Sequence, residues 1–366
     1  MLFPTNVVDF SAEFMTDLAR KRYPGTRVDR LEIVDVKDSD SFESSSSALV
    51  TMNVTYADGN PLDLPENLLV KTSLNDTSLW YANTHAFFSN ELNFYDRLRP
   101  ELDLEAPRSL GGAMQADGRY VIALEDMRKR GAKFCTVLTE DVTVDHARNL
   151  LDTLARLHAR YWESPRFSTD LSWLETHVGG ELEDMMRKLV VEGVSKELST
   201  SKYKREILGM MNLTEQKIRQ YSYAVKNHQS TLPQTIVHGD SHLGNMYFLP
   251  DGKAGLIDWQ FMVKGYVAHD LGYFLTVALP VEVRRREERE LLDFYREKLL
   301  EYGATNGPDR ETLWLEYRRA MVWGIYPAWL SVPATNYGLE HAFVVHLRLF
   351  SAFQDHETRK LVEALG

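Results

Sequence analysis

Between Thr235 and Gln260 the chain reads TIVHGDSHLGNMYFLPDGKAGLIDWQ. Two carboxylates, Asp240 and Asp258, bracket an amide, Asn245, with His238 and Gly239 just ahead of the first acid. Backbone folding alone asks for no such set. A carboxylate and an amide oxygen are hard ligands, suited to Mg²⁺ and poorly suited to zinc. A second carboxylate can take a proton from a hydroxyl. Transfer of the γ-phosphoryl of ATP requires these groups and one more. An acid must orient the acceptor hydroxyl, oxygen ligands must hold Mg²⁺ across the phosphates, and a cation must steady the α- and β-phosphates. Lys71, near the end of NLLVKTSL, is a candidate cation, and Glu91 further on could hold its ammonium in place.

The elements that must position these residues follow from periodicity. Residues 9–22 space apolar side chains as a helix does, and Pro24-Gly25 ends it. LEIVDV, ALVTMNVTY and NLLVKTSL read as three strands, with a hairpin turn at Asp58-Gly59. Residues 84–98 read as a helix carrying Glu91, and a strand pair over 108–124 turns at Asp117-Gly118. From there the character changes. Residues 141–162 form an amphipathic helix, 181–229 are helical in pattern, and everything after about 281 reads as helix again. The β island TIVHGD, NMYFL, AGLIDW interrupts this helical half. It places Asp240 in a tight loop after a short strand, Asn245 in the same loop, and Asp258 at the end of a hairpin. The expectation is an α+β fold with a β-rich N-terminal lobe over 1–126 and a mainly helical C-terminal lobe over 127–366.

The spacing H-G-D-x-x-x-x-N, expected by chance in about one chain in a thousand of this length, followed by IDW, resembles the aminoglycoside phosphotransferase and choline kinase-like branch of the bilobal protein-kinase-like fold. LLVKTS, NELNFYDRL, LEDM and LARLHARYW are similar to the ecdysteroid kinase-like relatives within that branch. The resemblance covers most of residues 28–275. It implies Asp240 as catalytic aspartate, Asn245 and Asp258 as Mg²⁺ ligands, Lys71 as the ATP-phosphate lysine and Glu91 as its partner. Glu125, Asp126 and Met127 would form the segment whose backbone pairs with adenine. His238, grouped with Asp240 at the catalytic loop, would brace it, with His242 and Asp270 as structural support. The loop covering the phosphates would be Asp38–Ser47, DSDSFESSSS, which has no glycine where protein kinases carry several.

The rest of the sequence bounds the partners. With 42 basic against 53 acidic residues the net charge is −11, which argues against nucleic acid, whose phosphates demand a basic face. The N-terminus lacks the basic head and apolar run of a signal peptide. YFLTVAL is the most apolar later stretch and is far short of a membrane span. The reading is a cytoplasmic protein without membrane contact, and its single cysteine, Cys135, permits no internal disulfide. Eleven residues separate Asp258 from Asp270. This is too few for a long activation loop, so the acceptor is a small-molecule hydroxyl and not a protein. Two other functions stay open: a metal-dependent phosphohydrolase using His269-Asp270 with His238 or His242, and a catalytically silent nucleotide-binding protein of the same fold. Trp314, Tyr317, Trp323, Tyr326, Trp329 and Tyr337 serve either as core or as the wall of an acceptor pocket, so sterol, choline-like and aminoglycoside acceptors all remain.

Overall fold

Strand alternation builds the first unit. In β2 (Ala48–Tyr56) residues 48, 50, 52, 54 and 56 are buried and those between them are not, the period of a sheet with one face packed. Together with β1 (Val28–Lys37), β3 (Asn67–Thr72), β4 (Ser109–Met114) and β5 (Tyr120–Glu125), it forms a five-stranded sheet in the order β1-β2-β3-β5-β4. Every neighbouring pair is antiparallel. The computed structural model describes residues 3–37, 47–73, 85–139 and 141–366. All but the last residue of the glycine-free loop 38–47 therefore lies outside the described residues.

Helix α1 (Ala12–Arg20) covers one face of this sheet. The Ser11 hydroxyl caps it by accepting from the Phe14 amide at 3.1 Å, which satisfies one of the free N–H groups of the first turn. Its apolar stripe of Phe14, Met15 and Leu18 packs with Val50, Met52, Leu68, Val70, Leu110 and Val121. Each such fully buried side chain contributes roughly 1.5–3 kcal/mol. The helix sits close to β4 because residue 111 is glycine. A Cβ there would lie 2.6 Å from the Leu18 carbonyl oxygen. Helix α2 (His85–Asn93) follows β3 in the chain and carries Glu91.

The second unit is helical around two small strand pairs. α3 (Val144–Arg160) buries Leu150, Leu151, Leu154, Leu157 and His158 along one face. The stretch 181–229, helical in pattern throughout, is three helices: α4 (Glu181–Thr200), α5 (Lys202–Met210) and α6 (Glu215–Gln229). Ser201 leaves helical geometry and Asn212 takes φ 50. β6 (Thr235–Val237) pairs antiparallel with β9 (Val263–Gly265), and β7 (Met246–Phe248) with β8 (Ala254–Leu256). α7 (Ala268–Ala278), α8 (Val281–Glu301), α9 (Arg310–Arg319), α10 (Leu339–Asp355) and α11 (Thr358–Glu363) complete the unit. Residues 320–336 are short irregular turns rather than the helix their pattern suggested, with Pro327 inside one of them. Proline removes a helical N–H and clashes with the preceding turn.

The compact units are residues 1–101 with 106–133, and 102–105 with 134–366. The sheet unit runs past residue 126 because the Asp126 amide still donates to the Asn67 carbonyl at 2.9 Å. Arg128 also reaches back to the Thr51 hydroxyl at 3.1 Å. Residues 102–105 go with the helices through a Tyr247 to Glu105 hydrogen bond of 2.9 Å and an Asp103–Arg156 pair at 3.1 Å. An antiparallel sheet in one unit and helices in the other make the fold α+β. No described helix is long and apolar enough to cross a membrane.

Candidate active site

The loop after β6 is built on Asp270, near the start of α7. Its carboxylate accepts from the His238 amide at 2.7 Å and from the Gly239 amide at 3.0 Å. His158 of α3 approaches the same carboxylate at 3.2 Å, and its other ring nitrogen meets the Tyr295 hydroxyl at 2.7 Å. Asp270 is wholly buried. Burial works to raise its carboxyl, but His158, His269 and His238 together hold it well below the usual carboxylate range. Gly239 takes φ +82, and a Cβ there would come within 2.0 Å of the Phe261 carbonyl oxygen. Only glycine fits this turn.

Asp240 follows directly. Asn245 donates its Nδ2 to both the Asp240 carbonyl and the Asp240 Oδ2, each at 2.9 Å. Two acceptors there fix the amide orientation, so the Asn245 Oδ1 is turned away from Asp240. The Ile257 amide donates to the Asn245 carbonyl at 2.9 Å, which sets the backbone beside Asp258 against Asn245. Asp258 itself is left-handed at φ 64. His242 caps the turn that carries Asn245. Its Nδ1 accepts from the Gly244 amide at 3.0 Å, so Nε2 carries the proton and lies 3.6 Å from Asp240 Oδ2. Packing around Asp240 works to raise its carboxyl, yet His242, His238 and Asn245 bring it below its ordinary value. For His242, burial pulls down, and Asp240 and Asp258 more than offset it, so its imidazole is raised.

Both ring nitrogens of His238 are engaged by backbone, Nε2 with the Ile257 carbonyl at 2.9 Å and Nδ1 with the Asp240 amide at 3.3 Å. The ring orients the loop from inside. The phosphohydrolase set does not assemble. Asp270 is saturated by donors, His269 is bonded to the Gly239 carbonyl at 2.8 Å, and no three metal-binding side chains among the described residues are grouped to hold a metal.

In the sheet unit, Lys71 Nζ donates to Glu91 Oε2 at 2.6 Å, with both residues buried. Lys71 stands between Leu49 and Ile122 in the register of β3. Leu68 and Val70 face the α1 core, so alternation turns Lys71 to the opposite face. Glu125 and Asp126 spend their amides on the Arg108 and Asn67 carbonyls, at 2.8 and 2.9 Å. Their carboxylates pair with Arg108 at 3.0 Å and with Arg128 at 2.8 Å. Met127 begins the following turn, where the N–H lies outside the turn's own bonds. Ser47, the described end of the serine loop, is buried with its hydroxyl bonded to that of Tyr120.

Two residues that the sequence did not single out, Tyr273 and His341, gather near His242 with Trp329 and Tyr337, which it did. The ring of Tyr273 lies 5.8 Å from that of His242, and Trp329 lies 6.4 Å from it. Trp329 in turn stacks on His341 at 5.6 Å and meets Tyr337 at 5.1 Å. Burial, with Asp240 and Asp258 adding to it, pushes the Tyr337 hydroxyl up to about 12. Tyr273 could have been found, being one helical turn beyond Asp270. His341 carries no such signal, because only the packing of α10 brings it in.

The ecdysteroid kinase-like family matches residues 42–305, and the chain belongs to that family. No curated protein matches it in sequence. Among solved structures it is similar to the ethanolamine kinase of Plasmodium vivax, at 12% identity, TM-score 0.49, over 90% of this chain and 84% of that one. A choline/ethanolamine kinase family protein from Mesorhizobium loti is similar at 12% identity, TM-score 0.47, over 96% and 98% of the two chains. A spectinomycin phosphotransferase in complex with ADP and spectinomycin is similar at 14% identity, TM-score 0.47, over 94% and 99%. At these scores the fold assignment rests on the family match and on the elements described above.

Proposed function

We propose that the protein is an ATP- and Mg²⁺-dependent kinase that phosphorylates a hydroxyl of a small molecule, with Asp240 as base. The observation that carries this is the Asp240–Asn245 pair. The carboxylate is kept ionised at neutral pH and is anchored by an amide, and that amide's oxygen is left for a cation. Asp240 would take the proton of the acceptor hydroxyl as its oxygen attacks the γ-phosphorus and the bond to ADP breaks. Asn245 and Asp258 fit Mg²⁺ as hard oxygen donors, and the ion would neutralise charge on the phosphates when bound. The sheet unit supplies Lys71, held by Glu91, for the α- and β-phosphates. Of the segment 125–127, Met127 is the residue whose amide suits the base of the nucleotide. His238 and Asp270 position the loop.

The aromatic rings beside His242 are Tyr273 and Trp329, with Tyr337 and His341 packed on the latter, and this aromatic wall favours an apolar or aromatic alcohol over a polycationic acceptor. The test is purified protein with MgATP and a panel of sterol, aromatic, amino-alcohol and aminoglycoside hydroxyl compounds. Phosphate transfer is expected to at least one apolar alcohol. Asp240→Ala should lose about 10²–10⁴-fold in rate while nucleotide still raises its melting temperature. Asp258→Ala should lose the Mg²⁺-dependence of that thermal shift. No transfer to any compound together with no nucleotide binding would sink the reading.

A further inference from the structure

The single peptide that joins Gly239 to Asp240 is held at both ends. Its N–H donates to His238 Nδ1 at 3.3 Å, and its carbonyl accepts from His269 Nε2 at 2.8 Å. A carbonyl can only accept, so His269 carries its proton on Nε2 and leaves a lone pair on Nδ1. That Nδ1 finds no hydrogen-bond partner among the described residues.

What holds the His269 ring is a second imidazole. His177, from the segment between α3 and α4, lies flat against it, with ring centroids 4.4 Å apart and planes within 5°. Trp323 tilts against both, at 4.1 Å from His269 and 4.6 Å from His177. His177 is confined from the strand side, where a Cβ on Gly265 of β9 would sit 3.0 Å from its ring. Its Nε2 is also unpartnered among the described residues.

We propose that His269 is a positioning residue for Asp240, clamping the Gly239–Asp240 peptide through its Nε2–H, and that His177 fixes the His269 ring by stacking on it. This rests on reading Asp240 as the base. A peptide plane bonded at both its carbonyl and its N–H cannot rotate, so the dihedrals that aim the Asp240 side chain are set by two histidines, one on each side.

The stack, unlike the Nε2–H donor, favours neutral rings, since two imidazoliums with centroids 4.4 Å apart would repel. Burial lowers both imidazoles, His269 lowers His177 further, and the Lys226 ammonium of α6 adds to the shift on each. Asp270 opposes the shift on both rings and Asp240 on His269. Lys226 is itself paired with Glu183 of α4 at 2.6 Å, and Lys264 of β9 lines the same recess as His177 and Lys226. The sign follows from linkage. Histidines lowered on folding contribute stability that is present above the ordinary imidazole value of about 6.5 and is lost as pH falls below it. Acid therefore weakens the stack that fixes the His269 ring, while His269 Nε2–H remains a donor to the Gly239 carbonyl in either protonation state.

The experiment has two independent readouts. Imidazole ¹⁵N NMR on the whole protein should show His269 as the Nε2–H tautomer at neutral pH, with His177 and His269 both titrating below a free imidazole. The opposite tautomer, or ordinary titration of both rings, overturns the proposal whatever the protein catalyses. In His269→Phe, which keeps a stacking ring but donates nothing, the Asp240 amide should exchange about tenfold faster, the loss of one net hydrogen bond. Turnover of MgATP with the best acceptor of the panel should fall by a similar factor at unchanged KM for ATP. His269→Gln, whose amide can donate, should recover most of both. Equal losses in the two variants, or unchanged exchange in His269→Phe, refute the clamp. A wild-type protein without turnover would count against the kinase reading alone, since tautomer and exchange still decide the clamp.

Discussion

Replacing Asp270 by asparagine removes a charge and turns one acceptor oxygen into a donor, with almost no change of volume. In the native loop the two carboxylate oxygens serve the His238 amide at 2.7 Å, the Gly239 amide at 3.0 Å and His158 at 3.2 Å. With its oxygen at the Oδ2 position asparagine keeps the His238 amide and His158, but its NH₂ must then face the Gly239 amide. The loss is one charge-assisted hydrogen bond, about 1.5–3 kcal/mol, and one buried donor left unpaired, about 1–3 kcal/mol. Asp270→Asn should thus destabilise the helical unit by about 3–5 kcal/mol. Urea denaturation followed by tryptophan fluorescence and far-ultraviolet circular dichroism measures it. The dependence on pH sharpens the test. A carboxyl held low in the folded state contributes stability that is complete above the ordinary aspartate value of about 3.9 and is lost as pH falls through the lowered one. The gap between wild type and variant should therefore be constant near neutrality and narrow in acid below about pH 4. A loss under about 1 kcal/mol, or a gap that widens on acidification, would refute the account of this carboxylate.

Two other perturbations act on separate features. Glu91→Ala removes the buried carboxylate that Lys71 meets at 2.6 Å, which should cost about 1.5–3 kcal/mol, the worth of a hydrogen bond to a charged group, in thermal or urea unfolding; a change below about 1 kcal/mol would mean that water screens the pair. Gly239→Ala meets both a left-handed φ of +82 and the Phe261 carbonyl, so a loss of about 3 kcal/mol or more is expected, and a variant as stable as wild type would show that the turn can open.

Much of the sheet unit was legible because one buried face imposes period two, and β2 shows it residue by residue. The loop from His238 to Asn245 was legible in its shape: an apolar triplet followed by a glycine and turn-forming residues predicts a tight loop after a short strand, and β6 and Gly239 at φ +82 form one. Other features lay beyond local reading. The breaks at Ser201 and Asn212 carry no glycine or proline, and tertiary packing decided them. Pro327 is the local mark of the irregular segment 320–336, within the stretch after about 281 that otherwise reads as helix. The expectation for 125–127 concerned the backbone alone; the pairing of the Glu125 and Asp126 carboxylates with Arg108 and Arg128 has no sequence signal of its own. The pairing of His177 with His269 joins a loop to a helix start through the fold alone, and no periodicity announces such a contact.

Every one of the eleven residues of α7 is buried. A helix with no solvent face can neither roll nor slide without remaking contacts on all sides, since interiors are packed like crystals. The floor beneath Asp240 adapts poorly for that reason, and substitutions in it should register as lost folding. If the protein is the kinase proposed above, a change of acceptor preference is expected through Trp329, Tyr337 and His341, since the wall residue Tyr273 is held in α7 on all sides.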